Sequence, residues 1–292
     1  MRKIGILEVV LSGIAFGFLG VLGKRAFAIG FSPGEYLALR FLIAGVVLCA
    51  VCLLWKGYSA FRLQKKTWLQ CALLGTLGYA LFSGLFFLAL TGLSASLTVL
   101  LLYTYPVIVS FGAWGLFCEK MGRGTWIALP LVCIGLLGLV WGEFQVRETW
   151  ALLAGFGAAI FYSVYILASS RWLRGVDPYV ASCLIMLAAG ILLGAVFLRA
   201  HTWRLLIDGW AVILATSLVS TLLAMSLFLS GLQKLRSSEV SVLSTSEPIT
   251  GVVLAFFLLG ERPSIVQEIG GALILGAMIL SSRDGPRLEK NG

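Results

Sequence analysis

Ten apolar stretches, each about long enough to cross a lipid bilayer as a helix, take up most of this 292-residue chain. Hydrophobic residues make up 60% of the sequence and charged residues only 12%; with a mean hydropathy of +1.00, this composition is not that of a soluble domain. Lipid offers the backbone no hydrogen-bond partners, so segments of roughly 20 apolar residues must cross it as helices. The sequence therefore predicts an all-α integral membrane protein with ten transmembrane helices. We place them at residues 4–23, 33–55, 67–90, 94–117, 126–142, 150–169, 178–198, 210–231, 239–259 and 265–281.

One apolar segment occurs twice in the chain. SASLTVLLLYTYPVIVSFGAWGLFCEK carries Pro106 and Glu119, and SSEVSVLSTSEPITGVVLAFFLLGER carries Pro248 and Glu261, with the same 13-residue spacing and a shift of 142 between the copies. An odd number of spans per copy, five, makes the second copy enter the membrane from the opposite side. We therefore predict two inverted five-helix repeats, 1–148 and 149–292, around a central cavity, a build that recurs in secondary transporters.

The positive charges favour one orientation. If the N-terminus is cytoplasmic, 15 of the 22 Lys and Arg residues fall in cytoplasmic segments, six fall outside, and Arg40 lies within a span. This asymmetry predicts a multi-pass protein of the cytoplasmic (inner) membrane with both termini in the cytoplasm. The net charge of +9 is spread over six separate cytoplasmic segments, so we expect no nucleic-acid partner.

Cysteine and histidine usage argues against a disulfide, a metal site or a catalytic centre. The six cysteines all fall in or at the ends of apolar helices, and the single histidine, His201, lies on a predicted external loop. One imidazole cannot hold a metal alone, and neither an HExxH motif nor a Ser/His/Asp set is present. We expect no cofactor and no enzymatic activity.

Two prolines and two charged residues are predicted deep within the membrane. Pro106 and Pro248 each interrupt the hydrogen bonding of a span near its middle, so we expect helix hinges that face an interior site. Glu247 is predicted near the midplane, and Arg40 at a depth that differs by only roughly 6 Å, within reach of an arginine side chain. They could pair across the cavity or share a ligand; the plainer interpretation is a fixed ion pair that locks two helices.

Polar and aromatic side chains within the spans complete the predicted substrate site. Ser244 and Glu247 belong to a polar run on the ninth span, and Thr221 shares an inward-facing polar face of the eighth span with Ser217 and Ser220. Tyrosines offer a stacking surface together with a hydroxyl, and those predicted to contact substrate are Tyr79, Tyr103, Tyr105, Tyr162 and Tyr165. Glycines four residues apart, as in Gly13 and Gly17, Gly138 and Gly142, and Gly190 and Gly194, predict close helix contacts.

Over essentially its full length the chain resembles the drug/metabolite transporter superfamily and, within it, the ten-helix EamA-like family. The resemblance rests on LALRFLIAG at residues 37–45, on the segment from Pro106 to Glu119, and above all on SEPITGVVLAFFLLGERPSIVQEIGGALIL at residues 246–275. It implies inverted five-helix repeats with the fifth and tenth helices peripheral, and transport of small metabolites, often amino acids or related compounds.

These observations together predict a secondary active transporter, an exporter of small amphipathic metabolites, that works by alternating access and has membrane lipid as its surroundings. Protons are a candidate coupling ion, because burial disfavours the charged form of Glu247. Three alternatives stay open: a drug or amine transporter of the same fold, a lipid-headgroup transporter, and a membrane sensor or scaffold that moves nothing. The sequence leaves monomer and homodimer equally open.

Overall fold

The computed structural model describes residues 1–141, 144, 146–259 and 263–284, and within these ranges the chain forms helices and no strands. The helices are α1 (Arg2–Ile29), α2 (Pro33–Lys56), α3 (Lys65–Leu73), α4 (Leu81–Gly92), α5 (Ala95–Leu102), α6 (Tyr105–Phe117), α7 (Arg123–Leu139), α8 (Trp150–Trp172), α9 (Pro178–Phe197), α10 (Thr202–Ser217), α11 (Ala224–Leu232), α12 (Ser237–Leu243), α13 (Ser246–Leu259) and α14 (Ile265–Ser282). The π-helical segments Leu74–Ala80 and Leu218–Leu223 join α3 to α4 and α10 to α11. The predicted all-α class is confirmed.

In the described ranges, nine segments are long and apolar enough to cross a membrane, some of them made of successive helices, and α7 is a shorter apolar helix. They correspond one by one to the ten predicted spans. Two boundaries were wrong: α1 continues to Ile29, and the eighth span begins at Thr202. A hydropathy pattern does not show where a helix ends, because the end depends on backbone geometry. Helix α1 ends before Gly30, whose φ of 113° is left-handed.

The fourth and ninth spans are interrupted beside the predicted prolines. The breaks separate α5 from α6 and α12 from α13, and Pro106 and Pro248 each lie in the first turn after the break. Hydroxyl groups add hydrogen bonds to carbonyls beside each break: the Thr104 Oγ1 donates to the Leu101 carbonyl at 2.7 Å, and the Thr245 Oγ1 donates to the Val242 carbonyl at 2.6 Å. Backbone that leaves regular helix geometry is thus compensated locally, as the membrane interior demands.

Glycines bring helix backbones into contact, as predicted for Gly13, Gly17, Gly138 and Gly190. A Cβ at Gly190 of α9 would lie 2.7 Å from the backbone nitrogen of Leu42 on α2, and one at Gly138 of α7 would lie 3.2 Å from Gly270 of α14. The pairs α2 with α9, α4 with α8, α1 with α13, and α7 with α14 have the most extensive contacts. Gly142 of the predicted glycine pair, and Glu261 and Arg262 at the end of the second copy of the repeated segment, lie outside the described residues.

The two ends of the bundle can be told apart by the chain termini. The Arg2 Nη1 donates to the carbonyl of Ser282 at 2.7 Å, so α1 begins and α14 ends at the same end, which we call the termini end. At the opposite end, the far end, Ser32 and Glu35 form a capping box at the start of α2. There Glu35 also accepts a hydrogen bond from Thr202 at the start of α10.

Candidate functional site

A cavity of about 420 Å³ lies at the centre of the helical bundle. Its walls come from both sequence repeats: α1, α2, the third span, both segments of the fourth span, α8 and α13 all contribute. Most of the lining is apolar or aromatic. The polar groups on it are few, which is the usual composition of a small-molecule pocket.

Tyrosine and phenylalanine rings form a continuous wall of this cavity. Tyr79 contacts Phe82 edge-on, with ring centroids 4.8 Å apart, and Tyr105 contacts Tyr162 in the same way at 4.7 Å. Tyr103 lies against Tyr105 at 5.8 Å. Such contacts hold each ring through its neighbours, so the wall has a defined shape against which a ring or an alkyl chain of a ligand can pack.

Seven of the predicted site residues line the cavity: Arg40, Tyr79, Tyr103, Tyr105, Tyr162, Glu247 and Pro248. The structure therefore brings together residues that are up to 208 positions apart in the sequence, from Arg40 to Pro248.

Four other predicted site residues do not line it. Tyr165 is 1% exposed and lies behind the wall, with its ring 5.2 Å from that of Tyr79. Thr221 and Ser244 are buried, and their hydroxyls donate to the carbonyls of Thr216 and Val240 in their own helices. Pro106 is buried in the first turn of α6. Helical spacing in the sequence did not reveal which face of each helix is turned to the cavity.

Arg40 and Glu247 reach the cavity from different helices without forming an ion pair, defined as an N–O distance up to 4.0 Å. Of the two alternatives, the direct pair is not formed in this structure, and the shared ligand stays a prediction. Arg40 is only 5% exposed, and its guanidinium lies 4.6 Å from the ring centroid of Phe41 and 5.9 Å from that of Tyr36. Among the residues that the structure describes, its Nε has no hydrogen-bond partner. Tyr103 lines the same cavity as Arg40 and Glu247.

Residues beyond those predicted from the sequence also line the cavity. On the third span Phe82, Ser83, Phe86 and Phe87 line the cavity with Tyr79, and on α1 Phe16, Gly20, Lys24 and Phe27 line it. Their spacing is helical, with positions 79, 82, 83 and 86 on one face, so an aromatic stripe was the available signal. On its own, such a stripe is indistinguishable from a lipid-facing one.

The cavity extends toward the far end of the bundle, where Lys24, Phe27 and Leu90 belong to the last turns of α1 and α4. At the termini end, polar contacts join helices of the two sequence repeats instead. Lys234 contacts Glu8 at 2.5 Å, and Arg2 contacts Glu239 at 2.8 Å. Ion pairs thus join the two sequence repeats at the termini end, whereas the cavity extends toward the far end.

Within the described ranges, no group of three or more His, Cys, Asp and Glu side chains is arranged to hold a metal ion. Glu247 is the single carboxylate on the described lining of the cavity. The arrangement suits reversible binding of an organic molecule through ring contacts and the opposite charges of Arg40 and Glu247.

Comparison with known proteins agrees with this architecture. The model of the EamA-like transporter family matches the chain twice, at residues 3–141 and 149–283, which confirms the duplication. A protein named uncharacterized transporter YwfM, from Bacillus subtilis, is 28% identical over 89% of this chain and 87% of its own length.

Two further relatives carry names that mention the inner membrane. The uncharacterized inner membrane transporter YicL of Salmonella typhimurium is 25% identical, and the inner membrane protein YtfF of Escherichia coli is 23% identical; each match covers 97% of this chain and 96% of the relative. A solved crystal structure, 20% identical, shares the fold with a TM-score of 0.81 over 96% of both chains.

Proposed function

The chain belongs to the EamA-like transporter family, and from this we propose that it is a secondary active transporter that exports small amphipathic metabolites by alternating access. The compounds that it transports carry a carboxylate, an amine and an apolar or aromatic body, as amino acids do. We place it in the inner (cytoplasmic) membrane with both termini in the cytoplasm. The names of two relatives and the excess of Lys and Arg at the termini end support this location and orientation.

We further propose that the halves 1–148 and 149–292 are inverted relative to each other. The opposed directions of α1 and α8, the first helix of each half, support this. Met1 lies at the termini end, where α1 begins, whereas α8 ends near that end: the Gln233 Nε2 donates to the Leu173 carbonyl at 3.0 Å beside Lys234. Halves arranged in this way can rock about a central site and expose it to each side in turn.

The observation that carries the substrate proposal is the separation of Arg40 from Glu247 on one aromatic-walled cavity. A buried charge needs a partner, and neither supplies a direct partner to the other. A zwitterion satisfies both at once: its carboxylate accepts from the Arg40 guanidinium and its ammonium donates to Glu247. The rings of Tyr79, Tyr105 and Tyr162 then cover its apolar body.

A ligand comparison with the purified protein tests this proposal. Phenylalanine, leucine, phenethylamine and 3-phenylpropionate are added in turn, and the rise in unfolding temperature is measured, because binding to the folded state stabilises it. We expect the zwitterions to stabilise most. The variant Arg40→Gln should weaken their binding about tenfold to a hundredfold, the effect of losing a hydrogen bond to a charged group.

The matched control is Arg204→Gln, which removes the same charge from an exposed position in α10 outside the cavity. Its binding should equal that of the parent protein. Phenethylamine could instead stabilise the protein more than phenylalanine does, and this effect could persist in Arg40→Gln. That result would contradict the zwitterion proposal in favour of an amine transporter. Binding without flux in proteoliposomes would favour a sensor.

A further inference from the structure

A second cavity, of about 570 Å³, lies at the termini end, separate from the central one. It is bounded by the segment that leads into α3 and by the turn that joins α8 to α9. Four cationic side chains line it, namely those of Arg62, Lys66, Arg171 and Arg174, together with the single carboxylate of Asp177. This excess of positive charge is unrelated to the proposed substrate contacts.

The one carboxylate in this cavity, that of Asp177, already has hydrogen-bond and ion-pair partners. Asp177 pairs with Lys56, which is at the end of α2, and its Oδ1 accepts hydrogen bonds from the backbone nitrogens of Tyr179 at 3.0 Å and Val180 at 3.3 Å. Asp177 therefore serves to cap α9 and to neutralise Lys56. It leaves the four other cations of the cavity uncompensated.

Three of these cations have side chains without a hydrogen bond or an ion pair in the described part of the chain: Arg62, Lys66 and Arg174, all exposed. Arg171 is held in place, because its guanidinium lies 4.2 Å from the ring centroid of Phe117 and donates to the Phe117 carbonyl at 3.3 Å. Arginine and lysine are the side chains that bind phosphate groups in proteins.

Neutral donors add to the cationic groups. The side chains of Gln64, Thr67 and Gln70 line the same cavity, and α3 begins at Lys65 beside them. The start of a helix attracts anions through its free backbone N–H groups and its dipole. Charge and hydrogen-bond donors thus converge on one small volume.

The location of the cavity identifies the source of the anion. Four candidate membrane spans start or end around it, at Lys56, Lys65, Trp172 and Pro178. Aromatic side chains flank it with much of their surface exposed: Tyr58 is 75% exposed, Trp68 44% and Trp172 40%. Exposed Trp and Tyr at the ends of spans mark the level of the lipid headgroups.

We propose that this cavity binds the headgroup of an anionic phospholipid from the leaflet at the termini end. The phosphate lies among Arg62, Lys66, Arg171 and Arg174, and the acyl chains follow the apolar surface beside Trp172. Basic pockets between spans bind anionic headgroups by this chemistry in general. The lipid bridges the loop after α2, in one sequence repeat, and the turn after α8, in the other.

The test uses the full-length protein purified in a neutral detergent. Phosphatidylglycerol and phosphatidylcholine with the same acyl chains are titrated separately, and the unfolding temperature and the bound lipid, by native mass spectrometry, are measured. We expect phosphatidylglycerol to bind and stabilise more. The triple variant Arg62→Gln, Lys66→Gln, Arg174→Gln should weaken its binding about a hundredfold, at about fivefold per cation.

A matched triple variant, Lys3→Gln, Lys120→Gln, Arg123→Gln, removes three exposed cations from the same end of the bundle outside this cavity. It should bind phosphatidylglycerol as the parent does. An equal loss in both triple variants would overturn the proposal in favour of unspecific surface charge. If the cavity triple variant unfolds, the double variant Arg62→Gln, Lys66→Gln takes its place, with an expected loss of about 25-fold.

A third titration uses inorganic phosphate, which distinguishes a lipid headgroup from a soluble anion. We expect phosphate at millimolar concentration neither to stabilise the protein as phosphatidylglycerol does nor to displace the lipid. Equal stabilisation by phosphate, or equal binding of both phospholipids, would contradict the proposal.

Discussion

At the residue scale, the proposed binding site in the central cavity depends on two buried charges, Arg40 and Glu247, that form no ion pair with each other. Arg40 is held over the Phe41 ring, which compensates part of its charge without supplying an anion. Glu247 follows the break in the ninth span and is the single carboxylate on the described lining. Because neither is neutralised directly by the other, a ligand or a proton gains more free energy here than in an apolar pocket.

This arrangement leads to a prediction about coupling, on the proposal that protons drive transport through Glu247. In Glu247→Gln the side chain keeps its shape but can no longer gain or lose a proton. The variant also loses the proposed contact with the substrate ammonium, so flux of the zwitterion in proteoliposomes should fall, and the flux that remains should lose its dependence on pH. The exposed Glu148→Gln serves as control and should retain it. Unchanged pH dependence in Glu247→Gln would reject coupling through this residue.

At the element scale, α1 sets the position of the segment that carries Glu247. A Cβ on Gly13 would lie 1.9 Å from the Ser246 Oγ, and a Cβ on Gly17 would lie 2.5 Å from the Thr250 Cβ. These contacts press α1 against the first turns of α13. Where lipid supplies no hydrophobic drive between helices, such close backbone approach is a main source of association.

We therefore expect Gly17→Ala to lower the free energy of unfolding by about 1–3 kcal/mol, the usual cost of overpacking. The control is Gly20→Ala in the same helix, where a Cβ meets no atom within 4 Å; it should leave stability unchanged or raise it slightly. Unfolding temperatures of the two variants in one detergent check this. Equal temperatures would show that α1 can shift away from α13 at little cost.

At the scale of the whole molecule, ion pairs join the two sequence repeats at the termini end, and the cavity extends toward the far end. Glu8 joins α1 to α11 through Lys234, at 2.5 Å, and through the Ser230 hydroxyl at 2.9 Å. The Ser238 hydroxyl donates to Glu119 at 3.2 Å and links the fourth and ninth spans nearby. For alternating access these contacts must break when the cavity opens to the termini end.

Weakening them should shift the population toward that second state. In a background without the six native cysteines, Ser83→Cys places a thiol on the cavity lining. Membrane-impermeant reagents should label it from the far end, and Glu8→Gln should increase labelling from the termini end. The charge swap of Glu8→Lys with Lys234→Glu should restore the parent pattern. If labelling is the same in the parent, in Glu8→Gln and in the charge swap, this ion pair does not keep the termini end closed.

The sequence alone was sufficient for the class of protein, its ten apolar segments, its duplication and the two breaks beside Pro106 and Pro248. Each of these follows from local chemistry: lipid forces the backbone into helices of a set length, and proline lacks the N–H that a helix requires. The ion pair of Glu8 with Lys234 joins residues 226 positions apart and had no local signal.

Only the tertiary structure decided which side chains face the cavity. Tyr79 and Tyr165 look equivalent in the sequence, yet one lines the cavity and the other lies behind it. Arg40 and Glu247 were predicted at compatible depths, but depth along a helix does not determine its rotation. That rotation follows from packing against partners such as Leu42 on Gly190 and Thr250 on Gly17, contacts that exist only once distant segments meet.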